Sequence, residues 1–125
     1  MTRTRASAKQ AGARFERSIA DHLRDNLDDR IDRRVKTGAN DCGDIGGIRT
    51  RGGDRVVLEL KDYGGKQQPT AWLREAQIEA GNDDAAIGVV VSKLRGVAAP
   101  GRQLVSMTVD DLIYLLGGDK PAYDN

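Results

Sequence analysis

An aspartate, a glutamate and a lysine are gathered in one short run, Gly43–Lys61, which reads GDIGGIRTRGGDRVVLELK. Asp44 opens an apolar stretch, and Glu59 and Lys61 alternate with Leu58 and Leu60 at its far end. Hard carboxylate oxygens suit Mg²⁺, which keeps several waters and needs only one or two carboxylates plus phosphate oxygens. Such a metal polarises a phosphate ester and lowers the pKa of a bound water. An ammonium beside it orients that water or stabilises charge building on phosphorus. An E-x-K tripeptide by itself occurs by chance in roughly one chain in three of this length. The weight therefore rests on whether the intervening chain brings the three side chains together.

Gly52-Gly53 is a two-residue hairpin signal, because a primed turn needs φ > 0 at both central residues. A turn centred there pairs Arg49 with Val56, Gly47 with Leu58, Ile45 with Leu60, Gly46 with Glu59 and Asp44 with Lys61. Directly opposed residues point to the same face, as do residues two apart on one strand. Asp44, Glu59 and Lys61 then converge on one side, with Asp44 diagonal to Glu59 and space left open at Gly46. Val56, Leu58, Leu60 and Ile45 form the core-facing row. An odd-length loop or a bulge would break this register.

The arrangement resembles the PD-(D/E)-x-K nuclease superfamily, with Asp44, Glu59 and Lys61 at the matching positions. The run Arg34, Gly38, Asp41, Gly43, Asp44, Ile45 resembles the archaeal and phage Holliday-junction resolvases within it. That resemblance implies a restriction-endonuclease-like α/β fold, a mixed sheet flanked by helices in the order αβββαββα. It implies Mg²⁺, replaceable by Mn²⁺, held by Asp44 and Glu59, and Lys61 assisting the attacking water. Related resolvases carry a first-helix glutamate after a basic, glycine-containing stretch, here KQAGARFE, so Glu16 would be a third acidic ligand. Asp41 competes with Asp44 for the metal. Arg34 and Lys36 would engage DNA before the metal-binding aspartate. A glutamine on the helix after E-x-K recurs in several branches, which brings Gln77 into view. Family resolvases are homodimers, which suits a two-fold branched substrate. The expected activity is cleavage of four-way junctions in DNA. The alternatives are a nickase or restriction-like cutter of the same fold, or a DNA-binding protein without catalysis.

Composition bounds the rest. At 125 residues the chain is expected to form one domain. One cysteine allows no intrachain disulfide, and one histidine leaves no Cys/His zinc site. Cys42 reads as a packing residue and His22 as structural. With no long apolar run and no signal-peptide pattern, a cytoplasmic protein without membrane association is expected. Net charge is +1, but residues 1–36 hold ten Lys/Arg against six Asp/Glu, and the remainder holds ten against thirteen. A basic first third suits a grip on phosphates. Arg3, Arg5 and Lys9, with nothing apolar to pack, read as a flexible basic arm over residues 1–8 and just beyond; Arg14 adds to that surface.

The remaining elements must position these groups. Phe15, Ile19, Leu23 and Leu27 recur at helical spacing and predict a helix over Ser7–Asp28. A loosely alternating strand is expected over Arg30–Lys36, followed by the turn-rich loop TGANDCG. After Lys61 the run DYGGKQQP is a loop, and Pro69 and Thr70 start a helix to Gly81 with Trp72, Leu73, Ala76 and Ala80 on its packed side. Residues 86–91 read as a strand buried on both faces. Lys93 sits in the basic exit from that strand and is a further DNA-contact candidate. A strand over Leu104–Val109, a short helix capped by Asp110 or Asp111, and a frayed tail over residues 119–125 complete the chain. The apolar last helix is a candidate dimer contact.

Overall fold

The computed structural model describes residues 4–34 and 43–123. Helix α1 (Arg5–Asn26) is followed by strands β1 (Asp32–Arg33), β2 (Ile45–Gly46) and β3 (Val56–Lys61). Helix α2 (Pro69–Asn82), strand β4 (Ile87–Ser92), a 3-10 turn (Pro100–Arg102), strand β5 (Leu104–Ser106) and helix α3 (Val109–Leu115) follow. The strands lie in spatial order β1-β2-β3-β4-β5. Only β3 and β4 run parallel, joined by the α2 crossover, so the sheet is mixed as expected. No described helix is long and apolar enough to cross a membrane.

Alternation on β3 and β4 sorts the two faces. Leu58, Leu60, Val89 and Val91 pack with Phe15 and Ile19 of α1, whereas Val90 packs with Trp72 and Ala76 of α2. In the β3–β4 register Glu59 stands beside Val90 and Lys61 beside Ser92. Glu59 and Lys61 therefore belong to the α2 face. Alpha-2 lies very close to the sheet there: a Cβ on Gly88 would meet the Ala76 carbonyl oxygen at 2.1 Å.

The hairpin forms differently from the expected two-residue turn. Only Gly53 takes a positive φ, +97°. Its N–H donates to the Thr50 carbonyl (3.0 Å), and the Thr50 N–H donates to the Asp54 carbonyl (2.8 Å). This is a three-residue loop ending in a left-handed glycine. Arg49 therefore faces Arg55 instead of Val56. Further along, Ile45 faces Leu58 instead of Leu60. Four steps on the first strand thus match three on the second, a bulge at Gly47 (φ +85°). Loop and bulge each shift the pairing by one residue in the same direction. Two odd shifts preserve parity, so Asp44 still shares a face with Glu59 and Lys61, but it lies one step from the Ile45–Leu58 pair and thus across from Glu59.

Four other expectations are corrected. Residues 5–8 are helical instead of a free arm, because the Thr4 side chain accepts the Ser7 N–H at 3.0 Å and caps α1. Helix α3 is capped by Thr108, whose hydroxyl accepts the Asp111 N–H, and not by Asp110 or Asp111. The tail is held as far as Tyr123. Its hydroxyl donates to Asp111 Oδ1 (2.7 Å) and accepts the Gly88 N–H (3.2 Å). The first strand covers only Asp32–Arg33 of its expected span, with residues 35 and 36 outside the described residues.

Candidate active site

Three charged side chains are buried on the α2 face of the hairpin: Asp44, Glu59 and Lys61 are 2%, 7% and 8% exposed. The Asp44 carboxylate substitutes for a strand carbonyl, accepting the Leu60 N–H through Oδ2 at 2.7 Å. That contact ties its position to β3. Lys61 Nζ lies 3.2 Å from Glu59 Oε1 and 2.5 Å from Glu75 Oε2. Its ammonium also faces the Tyr63 ring, 6.0 Å from the centroid, and Tyr63 in turn stacks on Trp72 at 5.4 Å.

The electrostatics follow from this packing. Burial raises the Glu59 pKa, and the Asp44 charge raises it further; a hydrogen bond with Glu79 and the Lys61 ammonium act against them. Burial alone would lower the Lys61 pKa. The hydrogen bonds and charges of Glu75 and Glu59 outweigh it, and the ammonium is held above its ordinary value. Glu59 Oε2 is buried without a hydrogen-bond partner among the described residues.

Glu75 and Glu79 went unnoticed in the sequence. They are visible there in retrospect: Trp72, Glu75, Ala76, Glu79 and Ala80 form one stripe at helical spacing, and a glutamate inside an apolar stripe is itself a signal. Ser92 lies beside Lys61 in the sheet, where its hydroxyl donates to Gln67 Oε1 at 3.0 Å.

The other candidates lie elsewhere. Glu16 on α1 pairs with Arg33 Nη2 at 3.4 Å and lines a cleft of about 630 Å³ with Lys9, Arg17, Arg33 and Arg34. Among the described residues no three His, Cys, Asp or Glu are placed to hold a metal. The expected third ligand, Glu16, is therefore not brought into a triad with Asp44 and Glu59. Arg34 fills the space at Gly46, where a Cβ would meet its Nε at 3.1 Å, and its guanidinium pairs with Asp83 at 3.1 Å. Arg5, Lys9 and Arg14 are exposed along α1. Lys93 turns its ammonium onto the carbonyls of Leu94 and Val97, clipping its own loop. Arg3, Lys36, Asp41 and Cys42 lie outside the described residues.

No family model, no curated protein and no solved structure matches this chain. The functional reading accordingly rests on the geometry of the site.

The two carboxylates that could hold a hard divalent cation are Asp44 and Glu59. Asp44 and Glu59 are adjacent carboxylates whose mutual repulsion already raises the Glu59 pKa. A cation between them relieves that repulsion, and Mg²⁺ accepts as few as one or two carboxylates.

Proposed function

We propose that the chain is a Mg²⁺-dependent DNA endonuclease selective for branched DNA, with four-way junctions as its substrate. The observation that carries this reading is the burial of Asp44, Glu59 and Lys61 together on one sheet face. Taking a charge out of water costs several kcal/mol even after relaxation, roughly per ion. Apolar residues of similar volume would hold this face together without that cost. Clusters of this kind, with pKa values displaced by burial and by specific partners, are concentrated at functional sites.

The cation, Mg²⁺ or Mn²⁺ in its place, would be held by Asp44 and Glu59 and would supply Lewis acidity at a phosphodiester oxygen. The chain's own groups do the rest. The Asp44 carboxylate is fixed against β3 by the Leu60 N–H, so it meets a ligand without reorganising. Glu59 Oε1 holds the Lys61 ammonium in place. That ammonium donates to the phosphate as negative charge grows on it, an interaction strongest in the transition state. Arg5, Lys9 and Arg14 supply sequence-independent attraction for the backbone. Val109, Leu112, Ile113 and Leu116 expose apolar surface on and beside α3, and a homodimer through that surface would present two such sites to a two-fold substrate.

The test compares cleavage of a four-way junction and a linear duplex in Mg²⁺ by the wild type and Glu59→Gln. The wild type is expected to cut the junction preferentially, and the variant to lose at least about 10²-fold in rate. Equal cutting by both proteins would remove Glu59 from the chemistry. Preference for linear duplex would retain the chemistry and discard junction selectivity. Binding without any cleavage would identify a non-catalytic DNA-binding protein.

A further inference from the structure

Lys61 is anchored by two carboxylates of different character. Glu59 comes from the same strand and is buried with it. Glu75 comes from α2, with its side chain 52% exposed. An ammonium has three donors, and Glu75 takes one of them at 2.5 Å. Helix α2 is seated on the sheet by Trp72 and Ala76, buried against Val90. The backbone of α2 is thus fixed, while the Glu75 carboxylate can leave Lys61 by rotating its own side chain into solvent. The carboxylate and a phosphodiester present the same chemistry to an ammonium: an anionic oxygen pair at hydrogen-bond distance.

We propose that Glu75 is an exchangeable stand-in for a backbone phosphate, occupying the outward donor of Lys61 until the phosphate of a bound nucleic acid displaces it. This rests on the reading of Lys61 as a phosphate-contacting group and names Glu75 as the positioning residue that governs access to it. Glu75 keeps the ammonium aimed while no nucleic acid is present, and it opposes weakly bound anions. A phosphate delivered by an otherwise well-docked strand replaces it. Glu75 thereby sets a threshold: the ammonium engages a phosphate only when the rest of the interface supplies the binding free energy to break one ion pair.

The experiment measures DNA affinity by fluorescence anisotropy in EDTA, so that cleavage plays no part. The proteins are the wild type, Glu75→Gln, Lys61→Gln, the Glu75→Gln/Lys61→Gln pair, and Asp110→Asn as a control that removes the same charge from an exposed position on α3. Glu75→Gln is expected to bind about fivefold more tightly, the scale of one half-exposed ion pair that no longer has to be broken. Asp110→Asn should change affinity by less than about twofold, because exposed charges are screened beyond a Debye length. The gain should vanish in the Lys61→Gln background. Equal affinities for Glu75→Gln and Asp110→Asn, a gain that survives without Lys61, or no DNA binding by any of the proteins would each overturn the proposal. Should Lys61→Gln not fold, the salt dependence of Glu75→Gln alone decides. One phosphate contact made more fully steepens its log–log slope by up to about 0.9, and an unchanged slope overturns the idea. Failure of the nuclease reading is seen separately: a protein that never cleaves but shows the Lys61-dependent gain retains the phosphate exchange and loses the catalysis.

Discussion

Replacing Lys61 by Met removes the ammonium placed between Glu59 and Glu75 and leaves Glu59 in a site where its side chain is 9% exposed. Breaking a buried ion pair by deleting one partner costs about 3–5 kcal/mol. The lost contact with Glu75, which is half in water, adds under about 1 kcal/mol. Against a total stability of roughly 5–15 kcal/mol for a domain of this kind, the variant is expected to be severely weakened. Glu59→Gln/Lys61→Met leaves neither member of the pair charged and should recover most of the loss, giving a coupling of about 2 kcal/mol or more. Urea unfolding in EDTA at neutral pH measures all four corners of the cycle. The pH dependence carries its own sign. The Glu59 pKa is raised above its ordinary 4.5, so its folded form holds the proton more tightly. The stabilisation from that proton is complete below the unfolded value and is lost as pH rises through the folded one. The Lys61→Met penalty should therefore grow with pH through that window, as Glu59 becomes a bare anion. A loss under about 1 kcal/mol, or additive single variants, would refute the claim that Lys61 neutralises a buried carboxylate.

Two further outcomes test the frame around the site. Gly88→Ala places a methyl against the Ala76 carbonyl of α2; with backbone as the obstacle, overpacking should cost at least about 1–3 kcal/mol in urea unfolding, and a neutral result would contradict the close approach of α2 to β4. Tyr123 has its pKa raised above the ordinary 10.0 by burial and by the bond to Asp111, so the stability it contributes is present below that value and falls as pH climbs above it; Tyr123→Phe should flatten this alkaline loss in thermal melts, and an unchanged profile would remove the tail clip.

The register of the hairpin shows how far the sequence carried the argument. Parity alone places Asp44, Glu59 and Lys61 on one face, and that conclusion survives because a three-residue loop and a one-residue bulge displace the pairing by two in total. What parity cannot supply is which residue stands across from Asp44, since Gly47 offers no local mark to separate a bulge from a regular strand. Likewise Phe15, Ile19, Trp72 and residues 87–91 announce their burial by period. Glu75 and Glu79 share the period of Trp72, Ala76 and Ala80, but a charged residue in a helix is ordinarily read as solvated. Their role depends on how closely α2 lies on β4, a tertiary fact carried by Gly88. Arg34 illustrates the reverse: the space at Gly46 was legible, but its occupant comes from the residue just after β1 and is held by Asp83, which follows α2.

The α2 face sets the ammonium of Lys61 against Glu59 and Glu75, with Asp44 and Glu79 buried beside them. Fully ionised, Asp44 and Glu59 repel one another in a region largely shielded from water, an excess of like charge that burial makes costly. Three agents can offset the excess: a proton, a bound cation, or exposure of one carboxylate. Glu75 already uses the last, keeping half its side chain in solvent, while burial and the Asp44 charge raise the Glu59 pKa and favour the first. A cation held by Asp44 and Glu59, as proposed, would compete with a proton there, because both neutralise Glu59. The arrival of a phosphate at Lys61 would drive Glu75 outward for the same reason, since two anions cannot share one donor.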